Sequence, residues 1–173
     1  MVSLLDSFRK MRNARNVPTP PELERRLRGV DLRVTRPRVA VLSAVHHHPH
    51  ADTDSILRAV RADLPEVSHQ AVYDGLRALT GAGLVRRIEP AGSPARYEAR
   101  IGDNHHHLVC RSCGVIVDVD CAVGDTPCLT AADDHGFTVD EAEVTYWGLC
   151  PTCSSASAPH PTPAVSPRKD PHD

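Results

Sequence analysis

The sequence predicts an α+β chain in two parts, helical first and strand-rich second, and three observations predict it. Apolar residues recur at helical spacing through residues 21–83 and then switch to the alternation and β-branched content of strands. Charge divides in the same way. Residues 1–100 carry seventeen Lys and Arg against eleven Asp and Glu, giving +6, while residues 101–173 carry three against eleven, giving −8 and a total of −2. All six cysteines lie in the second part, between Cys110 and Cys153.

Residues 1–20 are basic and polar, end in VPTP and read as a flexible leader, with Met11 as a second candidate start. PELERRLRGV places Pro21 where a helix opens, acidic residues in its first turn and Gly29 near its end. Thr35 caps TRPRVAVLSAV, with Val39, Leu42 and Val45 as the buried stripe. Asp52 or Thr53 caps DTDSILRAVRADL, where Ile56, Val60 and Leu64 share a face. Ser68 opens SHQAVYDGLRALTGAG, with Val72, Leu76 and Leu79 inward and Gly81 and Gly83 as the stop. LVRRIEPAGSPARYEAR, broken by PAGSP, reads as a β-hairpin. Short helices ending in a hairpin predict a winged helix-turn-helix domain over residues 21–100. Residues 101–153 then form a small α/β domain: HHLVC and GVIVDVD as strands, LTAADDHG as a short helix and FTVDEAEVTYWGLC as a strand pair. The remainder, SSASAPHPTPAVSPRKDPHD, is rich in Pro, Ser and Ala and is expected to be a disordered tail over 154–173.

Forty per cent of the residues are hydrophobic but only three per cent aromatic, so the core must be built mainly from Leu, Val and Ala. No apolar run approaches the ~20 residues of a spanning helix, and the N-terminus lacks the apolar segment of a secretory signal. A cytoplasmic protein without a membrane partner is expected. Its basic part suits a polyanion such as nucleic acid and its acidic part suits cations.

Cys110-Arg-Ser-Cys113 and Cys150-Pro-Thr-Cys153 are two Cys-x-x-Cys pairs. The two-residue gap lets a tight turn aim both sulfurs at one ion, so two pairs complete a closed tetrahedral shell, the donor set of structural Zn2+. His105, His106 and His107 are consecutive. On a strand the first and third share one face and the second takes the other. Carboxylates at Glu98, Asp103, Asp118, Asp120 and Asp125 make a further metal site the natural reading, with a donor set suited to Fe, Mn, Zn or Ni. His46, His47, His48 and His50 end the second helix and offer more distant ligands. Cys121 and Cys128 fall outside the four-thiolate pattern and read as inert thiols or a stress-dependent disulfide.

DLRVTRPRVAVL, HPHADTDSI, SHQAVYDGLRALTGAGLV, ARYEARIGDNHHHLVCRSCGVIVDV and YWGLCPTC, in that order across roughly residues 22–153, resemble the ferric uptake regulator family. HHHLVCRSCGVIVDVDCAVGDTPCLTA is most similar to its actinobacterial FurA and CatR-type branch of peroxide-responsive repressors, which sit beside catalase genes. The resemblance implies a winged-helix domain followed by an α/β dimerisation domain, and a homodimer on palindromic operator DNA. It puts structural Zn2+ on Cys110, Cys113, Cys150 and Cys153. It puts a regulatory ion, Fe2+ or Mn2+ with Zn2+ or Ni2+ as alternatives, on His48, Glu98, His105, His107 and Asp118. A further site would fall on His106, Asp125 and His135, where Asn104 departs from the family's histidine. The DNA-reading helix would run from Ser68 to Leu79, with Gln70 and Tyr73 towards base edges, Arg33 towards the minor groove or phosphates, and Arg36, Arg38, Arg86 and Arg87 on the backbone. Asp74 stands where the family has a basic residue.

The implied function is a metal-dependent, peroxide-responsive repressor of a catalase or catalase-peroxidase gene and of its own gene. An iron, zinc or nickel homeostasis repressor of the same family is the alternative. A metal-dependent enzyme is the remote one: the sequence has no HExxH, no Gly-rich phosphate loop and no nucleophile arrangement. No catalytic residue and no small-molecule substrate are expected.

Overall fold

The computed structural model describes residues 17–103, 105–121, 131, 133–139 and 142–156. They divide into two compact units, the second beginning at His105.

The first unit is built on four helices. Helix α1 (Pro20–Gly29) opens on two prolines, whose missing N–H groups cost nothing in a first turn. Glu22 reaches back and accepts from the backbone N–H and the hydroxyl of Thr19, at 2.6 and 2.7 Å. Thr35 caps α2 (Arg36–His47), Asp52 caps α3 (Thr53–Asp63) and Ser68 caps α4 (His69–Gly81). Each side-chain oxygen accepts from the N–H three residues on, at 3.4, 2.8 and 3.1 Å. Leu23 and Leu27 of α1, Val41, Leu42 and Val45 of α2, Ile56, Leu57 and Val60 of α3, and Val72, Leu76 and Leu79 of α4 are buried together. Burying each such side chain is worth roughly 1.5–3 kcal/mol, and this aliphatic cluster holds the unit. Because α2 packs against α1, α3 and α4 at once, its buried face is turned from the expected stripe: Val41 is buried and Val39 only partly so. Gly75 lets α4 approach α2 closely, for a Cβ there would stand 3.3 Å from Cγ2 of Val41.

A three-stranded antiparallel sheet completes this unit. Strands β2 (Arg86–Ile88) and β3 (Arg96–Glu98) form the expected hairpin, and β1 (Ala51–Asp52), not expected, pairs with the other side of β3 in the order β1-β3-β2.

His46, near the end of α2, is half-buried, and its Nε2 has no hydrogen-bond partner among the described residues. Burial first, then the charges of Arg26 and His47, hold its pKa down at about 4. The unfolded chain therefore takes up a proton near pH ~6.5 that the folded unit refuses until about 4. Stability is full above the unfolded value and falls as pH drops through this window. Thermal unfolding followed across it should show a flatter pH dependence for His46→Leu than for the native chain; equal slopes would refute the assignment.

The second unit is a three-stranded sheet, β4 (His105–Cys110), β5 (Ile116–Asp120) and β6 (Thr145–Gly148), in the order β5-β4-β6. β4 pairs antiparallel with β5 across a short turn and parallel with β6, which the chain reaches by a long connection. The closing Cys-Pro-Thr-Cys lies at the start of a short helix, α5 (Pro151–Ala156), which therefore takes in the first residues of the expected tail. Two further expectations fail. Asp133–Gly136, within the expected helix LTAADDHG, is instead a turn in which His135 and Gly136 both have positive φ, with Asp133 and Asp134 accepting from their backbone N–H groups. FTVDEAEVTYWGLC contributes one strand, β6, and its described residues 137–139 lie outside any strand. Among the described residues of this unit, the buried apolar side chains are Val109, Cys110 and Ile116, beside the buried histidines 105–107.

Candidate metal centres and nucleic-acid face

The sulfurs of Cys110, Cys113, Cys150 and Cys153 all lie within 4.8 Å of one another. β4 delivers Cys110 and the turn after it Cys113, while Cys150 follows β6 and Cys153 lies one turn into α5. The parallel pairing of Cys110 with Gly148 brings the two pairs to the same end of the sheet. Cys113 Sγ and Cys150 Sγ are 3.8 Å apart, too far for a disulfide and about the ~3.8 Å that a tetrahedral ion with ~2.3 Å metal–sulfur bonds sets between neighbouring sulfurs. Backbone N–H groups, those of Cys113 first and then Cys150 and Ser112, bring the Cys110 thiol down to about 6; the Cys150 N–H donates to it at 3.3 Å. Cys153 behaves oppositely. Ser112 acts to lower it, but the crowd of sulfurs from Cys150, Cys113 and Cys110, with burial, outweighs that and pushes it to about 12. Four thiols so close cannot all ionise unless a cation joins them. The donor set fits a closed, soft-ligand metal centre.

On β4 the histidines alternate as a strand requires. His105 and His107 share a face, their rings edge to face with centroids 5.0 Å apart. His106 points the other way, against Tyr146 at 6.2 Å. All three are buried. Asp118 stands opposite His107 and Asp120 opposite His105 in the β4–β5 register. His107 has a carboxylate on either side, Asp118 at 3.8 Å from Nε2 and Glu143 at 3.9 Å from Nδ1. Both distances exceed a hydrogen bond, while imidazole nitrogens and carboxylate oxygens together suit a divalent cation of intermediate hardness. Glu143 escaped the sequence reading; its position two residues before β6, in a segment that returns alongside β4, was the available signal.

In the first unit the resemblance pointed to His48 as the companion of Glu98, but the structure puts His50 there. His48 caps α2 and is exposed, its ring tilted against His47. His50 is buried, with Nε2 3.0 Å from Oε2 of the fully buried Glu98. The cause is backbone. His50 adopts φ 61°, a left-handed turn that is uncommon for non-glycine residues. Its N–H donates to the Tyr97 carbonyl at 2.8 Å, and Ala51 pairs with Tyr97, so the chain doubles back with His50 beside Glu98. Arg96 donates to the His50 carbonyl at 3.4 Å and lies 3.6 Å from Asp52, pinning the turn.

His135 is exposed and pairs with Asp133 at 3.3 Å, Asp125 lies outside the described residues, and among the described residues no ligand cluster joins His106 to His135. Asp103 pairs with Arg100 at 2.6 Å. Cys121 is half-buried after β5, and Cys128 lies outside the described residues.

The expected DNA face lies on α4 and its neighbours. Gln70, Tyr73 and Asp74 are exposed along one side of α4, and Arg77, one turn further and unnamed in the sequence reading, extends that side. The Ser68 hydroxyl is engaged in its cap. Arg33 and Arg36 are exposed, whereas Arg38 is partly buried and donates to the Arg33 carbonyl at 2.5 Å, so it shapes the loop before α2. Arg86 and Arg87 lie on β2 of the hairpin, with Arg87 paired to Glu89. No helix among the described residues is long and apolar enough to cross a membrane.

Comparison with known proteins agrees with this architecture. The model of the ferric uptake regulator family matches residues 29–147. The transcriptional regulator FurA of Mycobacterium tuberculosis is 69% identical over 143 residues, 82% of this chain and 97% of the relative. The peroxide operon regulator of Bacillus subtilis is 31% identical over 129 residues, 74% of this chain and 88% of the relative. The ferric uptake regulator of Helicobacter pylori, a structure with three functional metal binding sites, shares the fold with a TM-score of 0.61 over 81% of this chain and 97% of that one, at 18% identity. These relatives are named as regulators, none as an enzyme. On a family model that spans well over half its length and a relative of such high identity, the chain belongs to the ferric uptake regulator family of metal-responsive transcriptional regulators.

Proposed function

We propose that the chain is a peroxide-responsive repressor that binds operator DNA as a homodimer when loaded with metal, and that it controls a catalase or catalase-peroxidase gene and its own gene. The observation that carries this reading is the pair of incomplete nitrogen–carboxylate ligand sets. His50 and Glu98 are buried in the helical unit, and His105, His107 and Asp118 share one face of the second sheet. A regulatory Fe2+ or Mn2+ ion would draw on both sets, with His50 and Glu98 from one unit and His105, His107 and Asp118 from the other. Residues that hold one ion in common favour one angle between the units, and a dimer grips DNA well only when its two reading helices are spaced for successive major grooves. Cys110, Cys113, Cys150 and Cys153 would hold structural Zn2+ and tie α5 to the sheet. For dimer formation the support is the second face of that sheet, where Leu108, Val117 and Tyr146 are 46, 51 and 47% exposed and adjoin one another in register; such an apolar face suits a second copy.

When bound, Fe2+ supplies the one-electron chemistry by which peroxide oxidises a nearby histidine, here His50 or His105. Loss of that ligand releases the DNA. A second reading, plain iron sensing, is favoured by the family's description as regulators of ferric uptake.

A gel shift on the chain's own upstream region, with and without Mn2+, Fe2+, Zn2+ and Ni2+, tests the proposal. Metal-dependent binding that weakens steeply with salt is expected; binding indifferent to every ion would refute it. Peptide masses after peroxide treatment then separate the signals. One added oxygen on a His50 or His105 peptide supports histidine oxidation, a new disulfide supports thiol sensing, and neither change at inducing doses supports plain iron sensing.

A further inference from the structure

On the exposed side of α4, Gln70 Nε2 donates to Asp74 Oδ1 at 2.9 Å, a pair one helical turn apart. A glutamine amide presents one carbonyl and two N–H groups and can turn either end outward. Beside a carboxylate, which only accepts, its choice is removed: the nitrogen must face Asp74 and the carbonyl must face away. Asp74 therefore sets what Gln70 shows to a groove. One N–H is used, and what remains is the Gln70 carbonyl, the second N–H and the free carboxylate oxygen of Asp74, an array dominated by acceptors.

Base edges in the major groove differ in what they offer such an array. Adenine presents its N6 amino group beside the N7 acceptor, and cytosine presents its N4 amino group. Guanine presents only acceptors, and thymine an acceptor and a methyl group. Oriented glutamine suits adenine, with carbonyl accepting from N6 and N–H donating to N7, and a carboxylate suits cytosine N4. Guanine O6 and N7 would set acceptors against the Gln70 carbonyl and the Asp74 carboxylate, an unpaired contact in a desolvated groove. The carboxylate also repels phosphate, so Asp74 gives up sequence-independent attraction.

Resting on the DNA-binding reading above, we propose that Gln70 and Asp74 act as one unit, a specificity element by which each protomer selects an amino-bearing base edge, adenine or cytosine, and rejects guanine at the groove position that α4 faces.

The test is selection from randomised DNA duplexes by the full-length Mn2+-loaded protein, for the native chain, Gln70→Ala, Asp74→Ala and Asp74→Asn. All three changes lie on an exposed helix side and leave the core untouched. The native chain is expected to enrich adenine or cytosine at one position per half-site. Replacing that base with its keto counterpart, hypoxanthine or uracil, should weaken native binding on the order of ten-fold, the scale of one lost base contact. Gln70→Ala and Asp74→Ala should lose this discrimination, and Asp74→Asn, which brings donors of its own, should shift it. If every variant keeps the native preference, and Asp74→Asn raises affinity equally for all duplexes, Asp74 acts on phosphate alone and the inference is overturned. If the native chain enriches no duplex, the DNA-binding reading itself fails.

Discussion

A chain carrying Cys150→Ser is expected to hold no structural zinc and to lose the cooperative unfolding of its second unit, while the helical unit still melts as before. The reason is the disparity between the two cores. The first unit buries a cluster of leucines, isoleucine and valines from four helices. The described part of the second buries Val109, Cys110 and Ile116 beside three histidines. Structural zinc binding in small domains is worth roughly 10–16 kcal/mol at neutral pH, on the order of a whole domain's stability. Removing one of four thiolates opens the shell and releases α5, which carries Cys153, from the sheet edge. Metal content by mass spectrometry and a two-transition calorimetric trace read both parts, and the native chain stripped by a strong chelator should behave alike. A Cys150→Ser chain that retains one zinc and a native second transition would sink the assignment.

Glu98→Gln is expected to abolish metal-activated DNA binding while leaving zinc, fold and metal-free binding unchanged. Glu98 is fully buried and 3.0 Å from His50. Glutamine keeps its shape and its hydrogen bond to His50, and removes only the negative charge that a divalent ion needs. Moving a two-state dimer from mostly open to mostly closed takes about 5.5 kcal/mol, a factor of ~10⁴, of differential affinity. Loss of one ligand should remove enough of it to weaken metal-loaded binding by about a hundred-fold or more. Titration of the operator by fluorescence anisotropy, with and without Mn2+, measures it. Native-like activation in Glu98→Gln would remove that carboxylate from the regulatory centre.

How much of this was legible beforehand depends on how local the cause is. The caps at Thr35, Asp52 and Ser68 are each decided by a side chain and an N–H three residues away; Thr35 and Ser68 could be read from the chain, and the third was narrowed to Asp52 or Thr53. The facing of His105 and His107 follows from strand alternation alone. The four cysteines were legible as one centre because two-residue gaps permit few other uses. The expected helix in LTAADDHG failed because Asp133 and Asp134 satisfy backbone N–H groups in a turn, a local competitor that helical spacing does not register. The expected strand pair before the last cysteines failed because its first half finds no partner strand among the described residues.

His50 shows the boundary most clearly. Composition and spacing singled out four histidines at the end of α2 and just beyond it, and spacing alone does not rank them, since each is a similar imidazole in the same stretch. What ranks them is the pairing of Ala51 with Tyr97, which forces His50 into a left-handed turn and lays it beside Glu98, forty-eight residues on, while His48 stays in solvent. The amino-acid sequence alone therefore determined the four helices of the first unit, the ligand types and the order of helices before sheet, because spacing and capping act within a few residues. Which histidine meets which carboxylate was decided only by tertiary structure, because strand register and chain reversal depend on contacts between segments that the chain keeps far apart.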